Sequence, residues 1–282
     1  MSDKKDLVVS FSGGKTSGFM CHYLLESWAH KYNFTFCFAN TGREHEETLK
    51  FAKKCDEYFG LNLKWLEAVT NPVKGKGVRH KIVNFETASR NGEPFTDYIK
   101  KEGVPNASRA TCTERLKTFV VKSYMRDSGL LKRNRKGAKV AIGMRADEPS
   151  RCKLDSDAVK RHNLVYPLVY WGEEFDKQDV NTFWEDMPFN LEIPERHGNC
   201  LTCFKKSDNK LKLIAKEHPK WFSWCHEMEE KYGEGYVFFR GRKSTKDLMK
   251  AAEFSDTEIL KHLCKSEVDD PSGCGESCEP FQ

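Results

Sequence analysis

Residues 6–20, DLVVSFSGGKTSGFM, constrain this chain more than any other stretch. An apolar, β-branched run ends in Ser-Gly-Gly, and the residues after it place Phe19, Met20, Tyr23, Leu24 and Trp28 at helical spacing. A strand that turns through glycines directly into a helix aims backbone N–H groups and the positive end of the helix dipole at one point, which suits an anion. Ser12, Thr16 and Ser17 add hydroxyl donors, and Lys15 adds charge. The spacing is neither G-x-x-x-x-G-K-[ST] nor G-x-G-x-x-G, so neither a Walker-type NTPase nor a dinucleotide fold is indicated. Tight packing of strand on helix is the plainer reading of the same glycines.

Further apolar runs at 34–40, 62–69 and 138–144 alternate with helical patterns such as that of 46–60. The alternation predicts an α/β fold, a parallel sheet with helices on both faces, and ligands beyond the carboxyl ends of its strands. The stretch 70–110, with Pro72, Pro94 and Pro105, reads as a loop-rich insertion or lid. Past 187–200 the pattern becomes helical, which divides the chain into a nucleotide-binding domain at 1–190 and a smaller, cysteine-containing helical region at 191–282. A length of 282 residues with 38% hydrophobic content suffices for one core plus an appendage.

The 47 Lys+Arg against 42 Asp+Glu leave a net charge of only +5, but basic residues concentrate in 74–81 and 131–139. Such runs are solvated loops or a patch for a phosphate-rich partner such as tRNA or DNA. No window approaches a membrane span and no signal peptide is evident, so a cytoplasmic protein without a membrane partner is expected. In that setting eleven cysteines point to metal or reactive sulfur rather than to disulfides. Cys200 and Cys203 form a C-x-x-C in a Gly-led turn, and Cys112, Cys274 and Cys278 share irregular contexts. Cys21, Cys37, Cys55, Cys225 and Cys264 fall within strand or helix patterns and read as buried structural thiols, with Cys152 open. Thiolates alone leave Zn²⁺ and a [4Fe–4S] cluster as alternatives. Asp147 and Glu148, on a loop after a strand, suit Mg²⁺ or a helix start before Pro149.

SFSGGKTS (10–17) closely resembles the S-G-G-x-x-S signature of the PP-loop ATP pyrophosphatases. FANTGREHEETLKF (38–51) resembles a D-T-G segment of the phosphoadenosine phosphosulfate (PAPS) reductase family, with Asn40 in place of Asp. CTERLK (112–117) and IGMRADEPSR (142–151) are similar to two further elements of that family, in its order, and the phage-type and DNA-phosphorothioation branches come nearest. The resemblance implies an adenine-nucleotide site for ATP, or for PAPS or adenosine phosphosulfate (APS). Ser10, Ser12, Gly13, Gly14, Lys15, Thr16 and Ser17 would hold its phosphates, Asn40, Thr41 and Gly42 would border its adenosine, and Lys117, Arg145 and Arg151 would neutralise its oxygens. Lys15, Lys117, Asp147 and Glu148 are the implied catalytic groups, with Cys274 as a candidate attacking thiol.

APS reductases carry a Cys-Cys pair where this chain has Cys112 and Thr113, so three of four cluster ligands match: Cys112, Cys200 and Cys203. Cys278 or Cys274 would supply the fourth, or one iron would stay open as in tRNA 2-thiocytidine synthetases. The E-C-G-x-H segment of the reductases has no counterpart. The leading expectation is therefore an adenylating sulfurtransferase that activates a tRNA base or DNA with release of pyrophosphate and then thiolates it, with a cysteine desulfurase as sulfur donor. A thioredoxin-dependent APS/PAPS reductase and a non-catalytic nucleotide-binding protein are the alternatives, and a homodimer is left open. All of this requires the loop at 10–17 and the turn at 200–203 to face each other.

Overall fold

The computed structural model describes residues 4–132, 137–194, 196–266 and 281. The chain runs through β1 (Lys5–Phe11), α1 (Lys15–Trp28), β2 (Tyr32–Asn40), α2 (Glu46–Phe59), β3 (Lys64–Thr70), β4 (Val78–Val83) and α3 (Glu93–Glu102). A π-helical turn (Glu114–Thr118) leads into α4 (Phe119–Asp127), followed by β5 (Lys139–Ile142), α5 (Asp157–His162), β6 (Leu164–Val165), α6 (Pro167–Tyr170) and α7 (Lys177–Asp186). The remainder is helical: α8 (Asp208–Glu217), α9 (Ser223–Tyr232), α10 (Thr245–Glu253) and α11 (Thr257–Ser266). Pro219 separates α8 from α9, since a proline lacks the N–H that would continue α8. Among the described residues no helix is long and apolar enough to cross a membrane.

Six strands form one sheet in the order β4-β3-β2-β1-β5-β6, parallel except for β4. The physical reason is visible in β1, where Leu7, Val8 and Val9 are all fully buried, as a strand covered on both faces requires. Successive side chains point to opposite faces, so Leu7, Val9 and Phe11 enter one core while Val8 enters the other. The Leu7 face is covered by α1, α2 and α7, through Leu24, Phe51 and Trp184 among others. The Val8 face is covered by α3 and α4 together with the C-terminal helices, whose Leu211, Ile214, Phe222 and Met228 belong to the same cluster.

The stretch 70–110 differs from the expected loop-rich insertion, for it contains β4 and α3. β4 pairs antiparallel with β3 at the sheet's edge, and its central basic residues Arg79, His80 and Lys81 suit an edge that must stay unpaired on one side. α3 starts at Gly92 with Pro94 in its first turn, so the proline opens this helix rather than breaking it.

Candidate nucleotide and thiol site

The strand order reverses at β1, which makes the ends of β1 and β5 the switch point where α/β sheets hold ligands. The loop after β1 is closed on itself by one hydroxyl: Ser17 Oγ accepts from Ser12 N at 3.1 Å, lies 2.9 Å from Ser12 Oγ and donates to Gly14 O at 3.0 Å. Gly14 caps α1 without a side-chain hydrogen bond, so the first amides of α1 have no side-chain acceptor. Gly13 has φ +83°, and a Cβ there would lie 2.5 Å from Thr48 Cγ2, so only glycine fits. Behind the loop, Trp184 Nε1 donates to Lys15 O at 2.9 Å, and the bare Cα of Gly18 admits its ring. Ser10 lies further back, inside β1, fully buried with its hydroxyl unpartnered.

The end of β2 carries a second set of groups. Asn40 is fully buried; its Nδ2 donates to Glu67 Oε1 (2.7 Å) and Ser89 O (2.9 Å), and its Oδ1 accepts from Gly42 N at 3.1 Å. Glu67 also accepts from Ser89 N and Oγ and pairs with Lys81 at 2.8 Å. A carboxylate at position 40 would face Glu67 directly, which explains why an amide stands where the family pattern has Asp. Position 42 favours glycine twice over, by its φ of +77° and because a Cβ there would lie 3.1 Å from the Gly92 backbone. One oxygen of Glu44 then accepts from Thr41 N, Thr41 Oγ1 and Arg43 N, while the other lies 3.5 Å from Lys117 Nζ.

Beyond β5, Gly143 packs so closely on α1 that a Cβ would lie 2.9 Å from Ser17 Cα. That contact delivers Arg145 to the loop: its Nη1 donates to Thr16 Oγ1 at 3.3 Å. Arg145 also grips Asp147 with two hydrogen bonds, at 2.8 and 3.0 Å, and Arg151 pairs with Glu148. Burial would raise Asp147, but the hydrogen bonds and charge of Arg145 outweigh it and hold the carboxyl below its ordinary range. Both acidic residues singled out for Mg²⁺ are thus engaged by the two arginines singled out for phosphate.

The thiols converge from two distant segments. Cys112, Cys200 and Cys203 line one cavity together with Thr41, Glu44, Thr113 and Lys117, roofed by Phe95, Phe204, Trp224 and Phe238. The π-helical turn that begins two residues after Cys112 turns Lys117 toward Glu44, and such irregular turns are frequent at functional sites. Cys200 is held by an antiparallel bridge to Glu44, and Leu201 N donates to Arg43 O at 3.0 Å. Cys274 and Cys278 lie outside the described residues. The remaining thiols that were read as structural are buried: Cys37 is pushed up to about 12 and Cys225 to about 11 by desolvation, and Cys55 is raised for the same reason. Cys152 is raised to about 11, again by burial.

Among the described residues the one group of metal-type donors lying within 4.8 Å of one another is His197, Glu217 and His218. Arg196 takes both oxygens of Glu217 at 2.9 Å, so this group is an ion pair with His197 and His218 packed edge-to-face beside it. Cys112, Cys200 and Cys203 bring three thiol donors to one cavity, a set that suits either a tetrahedral Zn²⁺ or an iron–sulfur cluster once a fourth thiolate joins it.

Sequence reasoning missed Glu44, Arg43, Glu67 and Asn199. Nothing in their spacing distinguishes them from other charged or polar residues; only burial and convergence do.

A switch-point loop, clamping arginines and a thiol-lined cavity place this chain among α/β proteins whose ligand sites lie at the strand ends. Comparison makes this specific. The family model of the phosphoadenosine phosphosulfate reductase domain matches residues 6–175, and the chain belongs to that family of enzymes, whose chemistry joins adenine nucleotides to sulfur. It is similar to the uncharacterized nin region protein ORF290 of Escherichia phage lambda, at 30% identity over 97% of this chain and 94% of that protein. It is also 25% identical to an uncharacterized protein of Methanocaldococcus jannaschii over 83% of this chain, and spans 45% of that protein's length. Among solved structures, the U34-tRNA thiolase NcsA from Methanococcus maripaludis with its [4Fe–4S] cluster is similar at 14% identity and TM-score 0.42, over all of this chain and 81% of that one.

Proposed function

We propose that the protein is an ATP-dependent sulfurtransferase that adenylates a nucleic-acid acceptor, a tRNA base or DNA, and then thiolates it. The observation that supports this reading is adjacency: the segment 40–44, which closes the nucleotide side of the site, also supplies Thr41 and Glu44 to the wall of the thiol cavity. An acceptor oxygen attacks the α-phosphate of ATP, the bond to the β-phosphate breaks, and pyrophosphate leaves. The amides at the start of α1, the hydroxyls of Ser12, Thr16 and Ser17, and Lys15 would take up the charge on the departing pyrophosphate. Phosphate oxygens compete with Asp147 for Arg145, and the displaced carboxylates of Asp147 and Glu148 become available to Mg²⁺.

A persulfide supplied by a cysteine desulfurase then attacks the activated carbon and AMP leaves. A thioredoxin-type dithiol attacks the resulting disulfide at the protein's sulfur, which releases the thiolated product; its second thiol then frees the thiol that carried the persulfide, and the reductant leaves as its own disulfide. Cys112, Cys200 and Cys203, with Cys278 as fourth ligand, would hold a [4Fe–4S] cluster, which when bound supplies a centre that carries sulfide or electrons. Phe281, three residues beyond Cys278, is buried, and its N–H donates to Thr118 Oγ1 at 2.6 Å on the turn that follows Cys112.

Anaerobically purified protein is tested for pyrophosphate release from Mg·ATP with bulk tRNA and with DNA, alongside its absorption spectrum. Nucleic-acid-dependent pyrophosphate, lost in Cys200→Ser, is expected, together with the broad visible absorbance of an iron–sulfur centre. Sulfite release from PAPS or APS without pyrophosphate chemistry on ATP would instead establish a reductase.

A further inference from the structure

We infer that Asn199 is a positioning residue that transmits occupancy of the phosphate loop to the thiol turn, an inference that rests on the proposed nucleotide site. Asn199 is 8% exposed and directly precedes Cys200. Its carbonyl and both side-chain polar atoms tie two elements together, α2 and the loop after β1. Its carbonyl accepts from His45 N at 2.7 Å, at the start of α2. Its Oδ1 accepts from Thr48 Oγ1 at 3.4 Å, one turn into α2. Its Nδ2 donates to Ser12 O at 3.3 Å, in the phosphate loop itself. Gly198, with φ +56°, supplies the left-handed step that turns the chain into this position.

The contacts around Asn199 make the connection stiff. Thr48, its partner on α2, is the residue whose methyl forces position 13 of the loop to be glycine. The next residues along the turn are locked as well, by the bridge between Glu44 and Cys200 and the hydrogen bond from Leu201 N to Arg43 O. A displacement of the loop backbone at Ser12 therefore has a short, fully packed route to Cys200, through one side chain. Thermodynamic reciprocity requires the route to work both ways: whatever ordering of the turn an anion in the loop produces, ordering the turn improves the loop for the anion by the same factor.

Hydrogen–deuterium exchange of the protein as purified, with and without inorganic pyrophosphate as the probe, reads this directly. In the wild type pyrophosphate is expected to slow exchange in the peptide 8–20 and, by on the order of fivefold, in the peptide 197–204. In Asn199→Ala the first effect remains and the second disappears. Asn199→Asp provides a second variant that keeps the size of the side chain and an acceptor for Thr48 but turns the donor toward Ser12 into an acceptor; it gives the same loss. Protection of 197–204 that persists in both variants, or that is missing in the wild type while 8–20 responds, overturns the role of Asn199 and leaves the nucleotide site standing. No response of 8–20 to pyrophosphate or to ATP overturns the nucleotide reading and this inference with it.

Discussion

Replacing Gly13 by alanine tests the geometry on which the phosphate loop depends. Two penalties add. The backbone at φ +83° costs an L-residue about 1–2 kcal/mol in the left-handed region. The new Cβ would lie 2.5 Å from Thr48 Cγ2 and 3.1 Å from the Phe38 ring, against a carbon–carbon optimum of about 3.5–4.0 Å, so the core must shift at an overpacking cost of about 1–3 kcal/mol. The sum, about 2–5 kcal/mol, is a large part of the stability of an ordinary domain. The two parts separate in a double-mutant cycle with Thr48→Ser, which removes the offending methyl and keeps the hydroxyl bonded to Asn199. Urea unfolding at pH 7 is expected to show a cost of about 2–5 kcal/mol for Gly13→Ala alone, with about 1–3 kcal/mol of it absent in the Thr48→Ser background. Pyrophosphate binding should weaken in the single variant and recover in part in the double. A coupling energy below about 0.5 kcal/mol would refute the steric argument, and with it the claim that Thr48 shapes the loop.

Asn40→Asp places a carboxylate where an amide now donates to Glu67 at 2.7 Å; a cost of about 3–5 kcal/mol at pH 7 is expected, with recovery in the Asn40→Asp/Glu67→Gln double variant. Thermal melts of the three variants check it, and a single variant as stable as wild type would contradict the charge argument. His197 is held by burial at about 4, below the ordinary 6.5, so the unfolded chain takes up its proton first as pH falls. Stability attributable to this group is present above pH 6.5 and lost as pH falls toward 4, by about 3 kcal/mol in all. The difference in urea midpoint between wild type and His197→Gln, followed from pH 7.5 to 4, should narrow across that window; a constant difference would show that His197 carries no such linkage.

The strand, glycine turn and helix at 5–28 were legible in the sequence because each signal there is local: β-branched residues, two glycines and a 3.6-residue period all lie within one window. The β2–α2 and β5 units followed from the same alternation, and so did the expectation that the site lies beyond the strand ends. The stretch 70–110 was not legible, because prolines and polar residues mark loops, helix starts and edge strands alike, and only pairing with β3 decides which. For the site, the sequence nominated Cys112, Cys200 and Cys203 by residue type, yet 88 residues separate the first from the second, and their common cavity exists only because a π-helical turn and a bridge to Glu44 bring them together.

What the sequence determined by itself was therefore a strand, a glycine turn and a helix start at the carboxyl end of a parallel strand, since backbone conformation there depends on neighbours one to four residues away. Tertiary structure alone decided which charges meet. Glu67 fixes Asn40 from 27 residues away, Arg145 reaches Thr16 from 129, and Asn199 holds the loop at Ser12 from 187. Such pairings are set by where the sheet's topology places strand ends in space, and no local pattern in a chain encodes that distance.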